Sequence, residues 1–167
     1  KWEYLEAING ISPANNINIY SVDEGGADFY IALTSIEVRN TRNLLGNPNF
    51  YGPEGHQSIP GDYNSAADKW TLWSEGGTTI TKLIRSTFVY GGSATMLHVT
   101  TTAKYNGLVQ VFHLPIDTGP SQIIASAWVF VKRGRIGIGT GNGGNTSTSD
   151  AMSSTIGQWE YLEAKNS

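Results

Sequence analysis

Three side chains in this sequence combine into a specific chemistry: Tyr105, Gln110 and Trp128. An aromatic ring offers a flat apolar face for stacking, and a planar amide both donates and accepts hydrogen bonds. Together they suit a sugar ring, which has a C–H face and an equatorial belt of hydroxyls. Gln110 is the informative member, because it interrupts the apolar run 107–114 (GLVQVFHL). A buried amide without a partner costs roughly 1–3 kcal/mol, so Gln110 needs a sugar, a water or a neighbouring loop. Trp128 lies among the even positions of 121–132 (SQIIASAWVFVK), whose odd positions Ile123, Ala125, Ala127, Val129 and Val131 suit a tight core, so the indole is expected outward. Trp73 and Phe112 offer further rings, and Arg85 and Asn106 further hydrogen bonds to hydroxyls. Trp70 reads as core.

Catalysis is not expected, and no cofactor is implied. The histidines, His56, His98 and His113, have no metal-ligand spacing on one element. No Gly-rich phosphate loop precedes a helix. A glycoside hydrolase needs two carboxylates opposed across a cleft, whereas the acids here fall in loops (Glu54, Asp62, Asp68, Asp117, Asp150) or at strand edges (Glu160, Glu163). No strand carries the Arg/His/Tyr cluster of a jelly-roll lyase.

The elements that must position these residues are strands. Almost no window has a helical period; two-residue alternation marks 16–20, 78–83, 121–132 and 135–140, while 29–38 reads as a further strand and 107–114 as one apolar on both faces except at Gln110. Asp23-Glu24-Gly25-Gly26 reads as a turn, and 52–68 and 139–154 as exposed loops. Strands at this spacing with turn chemistry between them predict an all-β domain, a sandwich or a barrel.

Composition narrows the classes further. The 167 residues fit one medium domain, and 11 Lys+Arg against 14 Asp+Glu leave no basic footprint for nucleic acid. No apolar run is long enough to span a membrane. The absence of cysteine excludes a disulfide scaffold, a zinc finger and thiol catalysis.

The ends are duplicated: Trp2-Glu3-Tyr4-Leu5-Glu6-Ala7 recurs as Trp159-Glu160-Tyr161-Leu162-Glu163-Ala164. The first copy reads as a mid-domain strand, so the chain is expected to be a window of a tandem array or a circular permutant. Residues 1–40 would then supply the C-terminal strands and 41–167 the N-terminal and central strands of a single domain of about 160 residues. The sandwich could be completed within one chain or by strand exchange between two.

Taken in the order 41–164 followed by 8–38, the chain resembles the carbohydrate-binding modules of families 4, 9, 16 and 22. The opening N-L-L-x-N-G-D-F-E pattern is matched by Asn43-Leu44-Leu45-Gly46-Asn47-Pro48-Asn49-Phe50, followed by Trp70 and the Gly-rich step Gly91 to Val99. An aromatic-x-G-x-x-Q segment is matched by Tyr105, Gly107 and Gln110, and S-A-aromatic-V-x-x-K by Ser126 to Lys132. Gly157, Trp159 and Leu162 match a late G-x-W-x-x-L strand, and Asp28 to Ile36 the last strand. The resemblance implies a galactose-binding-like jelly-roll β-sandwich, non-catalytic, in an extracellular multi-modular protein. Its ligand would be a polysaccharide of the β-glucan, xylan or mannan class, with neither nucleic acid nor membrane as partner. The alternative is a structural or adhesive jelly-roll module of a phage tail fibre or surface protein; a polysaccharide-degrading domain is the less expected third. Such modules often hold a structural calcium, but Asn49, Tyr51 and Ala32 replace its usual carboxylates. Asp23, Glu24 and Asp28 are what remains as candidate ligands.

Overall fold

The computed structural model describes residues 15–38, 43–45, 70–73, 78–84, 95–112, 123–142 and 151–166. Among them there is no helix. The strands are β1 (Asn15–Ser21), β2 (Asp28–Val38), β3 (Thr71–Trp73), β4 (Thr78–Ile84), β5 (Thr95–Thr101), β6 (Gly107–Phe112), β7 (Ile123–Arg133), β8 (Ile136–Asn142), β9 (Ala151–Met152) and β10 (Trp159–Asn166). They form two antiparallel sheets, sheet I in the order β3-β6-β1-β8-β9 and sheet II in the order β10-β7-β2-β5-β4. One core joins them: Ile17, Ile19, Leu108 and Ile138 from sheet I lie with Phe29, Ile31, Leu97, Val129 and Leu162 from sheet II. The architecture is all-β and sandwich-like.

Alternation explains most of the strands. On β7 the odd residues from Ile123 to Val131 are buried, while Ile124, Trp128 and Phe130 are half-buried on the opposite side. Trp70 is 1% exposed and belongs to the core. The 23–26 turn forms as expected, with the Gly26 amide donating to the Asp23 carbonyl at 2.9 Å. Gly26 has φ +71°, and a Cβ there would lie 2.1 Å from the Thr101 carbonyl oxygen, so the close approach to β5 admits glycine alone.

β2 departs from simple alternation, and the departure organises its sheet. From Ala32 to Ser35 it advances three residues while β7 advances two, Trp128 to Ser126. This is a β-bulge, with Leu33 in the left-handed region at φ 51°. Odd residues Phe29 and Ile31 face the core before the bulge, and even residue Ile36 does so after it. Asn43 clasps the segment: its Oδ1 accepts from the Ile36 amide at 3.0 Å and the Leu45 amide at 3.1 Å, and its Nδ2 donates to the Thr34 carbonyl at 3.0 Å. Past the bulge, residues 43–45 take the side of β2 that β5 borders at 28–31.

One expectation needs correction. Residues 139–142 are not loop: they complete β8 against β1, and Thr140 and Ser153 are buried. Pairing with β1 uses only main-chain groups, so glycine-rich composition does not prevent it. On sheet I's outer face the Tyr20 ring lies over Gly137, where a Cβ would meet the ring at 2.8 Å. The 52–68 loop and the first hexapeptide copy lie outside the described residues.

β1 and β2 are interior strands, one in each sheet. Residues 44–164 expressed alone are therefore expected to give no cooperative thermal unfolding transition, and adding a separate 1–43 peptide to restore it. A 44–164 piece as stable as the whole chain would contradict this placement. In the full chain, Asn43→Ala should lower stability by about 2 kcal/mol in denaturant titrations, because it strips partners from main-chain groups at the bulge.

Candidate functional site

The outer face of sheet II carries the chain's most concentrated set of described aromatic side chains. Strand register alone aligns them. Trp159 of β10 stands opposite Phe130 of β7, Phe130 opposite Tyr30 of β2, and Tyr30 opposite His98 of β5. Ring centroids are 5.8 Å apart for Phe130–Trp159, 6.0 Å for Tyr30–Phe130 and 4.8 Å for Tyr30–His98. The next row holds Tyr161 opposite Trp128, with centroids 5.3 Å apart. Tyr161 is 47% exposed and the other five rings are half-buried. Each ring is held by its neighbour while keeping a face or an edge to solvent.

Polar groups flank this band on both sides. Beyond the longer row, Asp28 accepts from two partners, with its Oδ1 2.6 Å from His98 Nε2 and its Oδ2 3.3 Å from Lys132 Nζ. The Lys132 ammonium also lies 5.6 Å from the centre of the Tyr30 ring, within cation–π range. Burial alone would push the Asp28 carboxyl up, but hydrogen bonds from His98 and Lys132 outweigh it and hold the group below the usual carboxylate range. On the other side, Ser35 donates to Glu37 at 2.9 Å and Lys165 pairs with Glu163 at 2.7 Å.

A second carboxylate is structural. Glu160 points away from the band and accepts from the Ser154 amide and hydroxyl and the Thr155 amide and hydroxyl, at 2.8–3.2 Å. Burial raises its pKa, and those hydrogen bonds more than offset the rise, leaving it lowered. It pins the turn that leads into β10.

The residues singled out in the sequence do not converge. Trp128 stands on the aromatic face. Gln110 and Phe112 lie on the inner face of β6 in the other sheet, 3% and 2% exposed, with Gln110 opposite Ile17. β6 and β7 are not adjacent strands, so Gln110 and Trp128 share no cleft. Tyr105 sits in the β5–β6 turn at φ 63°, its ring 6.0 Å from Tyr20 and 5.1 Å from the Lys104 ammonium, on sheet I's side of the molecule. Asn106 is buried in the same turn, where its carbonyl accepts from the Ser21 amide at 2.9 Å. Trp73 is in β3, opposite Gly107 of sheet I. Arg85 lies outside the described residues. The candidate calcium ligands each engage different basic side chains: Asp23 takes Arg135 at 2.8 Å, Glu24 takes Lys104 at 3.3 Å, and Asp28 takes His98 and Lys132. No cluster of three metal-ligating side chains occurs among the described residues.

Tyr30, His98, Trp159 and Tyr161 are not among the binding residues that the sequence suggests. Alternation in 28–31 and 159–162 does mark Tyr30, Trp159 and Tyr161 as facing away from the buried residues between them. Only strand pairing places them in one row. No protein-family model, no curated protein and no solved structure matches this chain.

The depressed Asp28 carboxyl links stability to pH. Its folded pKa lies below the unfolded value of about 3.9, so its contribution is full above that value and is lost as pH falls through the folded pKa. The wild type should therefore unfold at a higher temperature than Asp28→Asn near neutral pH, with the gap closing below about pH 4. A gap that stays constant down to pH 2.5 would show that the charge of Asp28 is not what stabilises this edge.

Proposed function

We propose that this chain is a non-catalytic carbohydrate-binding module with jelly-roll strand order, which holds an extended polysaccharide on the outer face of sheet II. The observation that carries the reading is the aromatic band, six rings including His98 in two rows across four neighbouring strands. From β10 to β5 the band covers three inter-strand steps, about 14 Å, which suits an oligosaccharide segment better than a single ring. Trp128, Tyr161, Trp159, Phe130 and Tyr30 would stack on the C–H faces of successive sugars. Asp28, His98 and Lys132 on one border and Ser35, Glu37 and Glu163 on the other would bond the hydroxyls.

Stacking on preformed rings demands little reordering on binding, and flanking charged groups accept and donate without deep desolvation. No bond need be broken and no metal is required. The ligand class that fits is a β-linked glucan, xylan or mannan in an extracellular setting. A structural or adhesive module, as in a tail fibre or surface protein, is the second reading; the duplicated edge strand favours it.

Affinity gel electrophoresis against mixed-linkage β-glucan, xylan and glucomannan separates the two. Retardation by at least one polysaccharide is expected. Trp128→Ala should weaken it by about tenfold or more, the equivalent of roughly 1.4 kcal/mol of lost stacking. Tyr105→Ala, outside the band, should leave it unchanged. Retardation that survives Trp128→Ala but not Tyr105→Ala would move the site to the β5–β6 turn. No retardation by any polysaccharide would leave the structural reading in possession.

A further inference from the structure

We propose that residues Trp2–Asn9 are a second occupant of the place held by β10, so that two segments of one chain compete for a single position beside β7. This inference is independent of what the aromatic face binds.

Sequence identity extends beyond the hexapeptide. Trp2–Asn9 reads WEYLEAIN and β10 reads WEYLEAKN, so the two differ only at Ile8 against Lys165. Every role that β10 plays is thereby available twice. Leu162 and Ala164, 4% and 3% exposed, fill the core, and Leu5 and Ala7 fall at the same spacing. Trp159 and Tyr161 meet Phe130 and Trp128, and Trp2 and Tyr4 carry the same rings. Glu160 accepts the hydrogen bonds of Ser154 and Thr155, and Glu3 has the same carboxylate. At the single difference, Lys165 stands opposite the half-buried Ile124, so Ile8 there would add apolar contact where the present strand has an ammonium.

The place is also accessible. β10 is an edge strand bonded only to β7 within its sheet, so exchange breaks one ladder. The connection is short enough to be made within one chain. Asn166 at the end of β10 stands opposite Ile123 at the start of β7, and Asn15 at the start of β1 stands opposite Asn142 at the end of β8. Because β7 runs directly into β8 through Gly134 and Arg135, the start of β7 and the end of β8 lie at the same end of the molecule. A strand of residues 2–9 in β10's register would thus finish at the end where β1 begins. Six residue steps from Asn9 to Asn15 reach at most about 20 Å, and packed sheets are about 10 Å apart. The register would be Trp2 opposite Phe130 through Asn9 opposite Ile123.

Rescue tests this directly. Leu5→Asp, Leu162→Asp and the double variant are compared by thermal unfolding. Each single variant is expected within a few degrees of wild type, and the double about 10 °C lower, from the known cost of losing a buried leucine and its effect on a domain of this size. If Leu162→Asp alone falls as far as the double, or fails to fold, residues 2–9 do not take the place and the proposal is overturned. The cysteine-free chain permits a second, structural readout. Directly opposed Cα atoms in an antiparallel pair lie within disulfide range, so Ala7→Cys with Ala125→Cys in the Leu162→Asp background should oxidise to an intrachain disulfide in a monomer. Free thiols, or a crosslinked dimer marking exchange between molecules, would overturn it.

Discussion

The clasp of Asn43 on the β2 bulge is the contact on which sheet II depends. β2 lies at the centre of that sheet, and its sequence, DFYIALTSIEV, cannot keep one parity along its whole length. Continued alternation from Phe29 and Ile31 would send Leu33, Ser35 and Glu37 inward and leave Ile36 outside. A buried unpaired carboxylate is far more expensive than one extra residue in a ladder. The bulge inserts that residue at Leu33, and one amide side chain occupies the main-chain groups of Thr34, Ile36 and Leu45. Both halves of β2 then present apolar residues to the core, while Tyr30 remains outside between Phe130 and His98.

That outer face follows from the same register. The chain is weakly charged, and on this sheet Asp28 touches both His98 and Lys132 while Glu163 and Lys165 pair at the opposite border. The second register shift of β2, between Asp28 and Phe29, passes over Lys132 of β7, and its ammonium reaches the carboxylate and the Tyr30 ring. Rings, cation and carboxylate thus hold one another in place.

Much of this was legible in the sequence, and what was not has a common cause. β1, β4, β7 and β8 follow from alternation, β2 and β6 from their apolar, β-branched and aromatic runs, the 23–26 turn from its glycines, and the outward aim of Trp128 from the small residues flanking it. Gln110 was illegible because 107–114 is apolar on both sides; only its pairing with Ile17 decides that it faces inward. Residues 139–142 were mistaken for loop because strand pairing there relies on main chain, which composition does not record. The aromatic band was hidden for the same reason, since its members are far apart in sequence and are joined only by register. Asn43-Leu44-Leu45, noticed as part of a resemblance, turns out to hold the bulge.

The glycine beneath Tyr20 has a further consequence. The inward neighbours of Gly137 on β8 are Ile136 and Ile138, and on the outward side Gly137 is closed by a ring resting on the backbone, so neither side of the strand there can absorb a larger residue without moving a neighbour. On sheet II, by contrast, a ring can be exchanged for another ring and the core below is untouched. The two outer surfaces therefore differ in their freedom to drift: beneath Tyr20 the fit at Gly137 is closed, whereas the rings of sheet II keep a face or an edge to solvent.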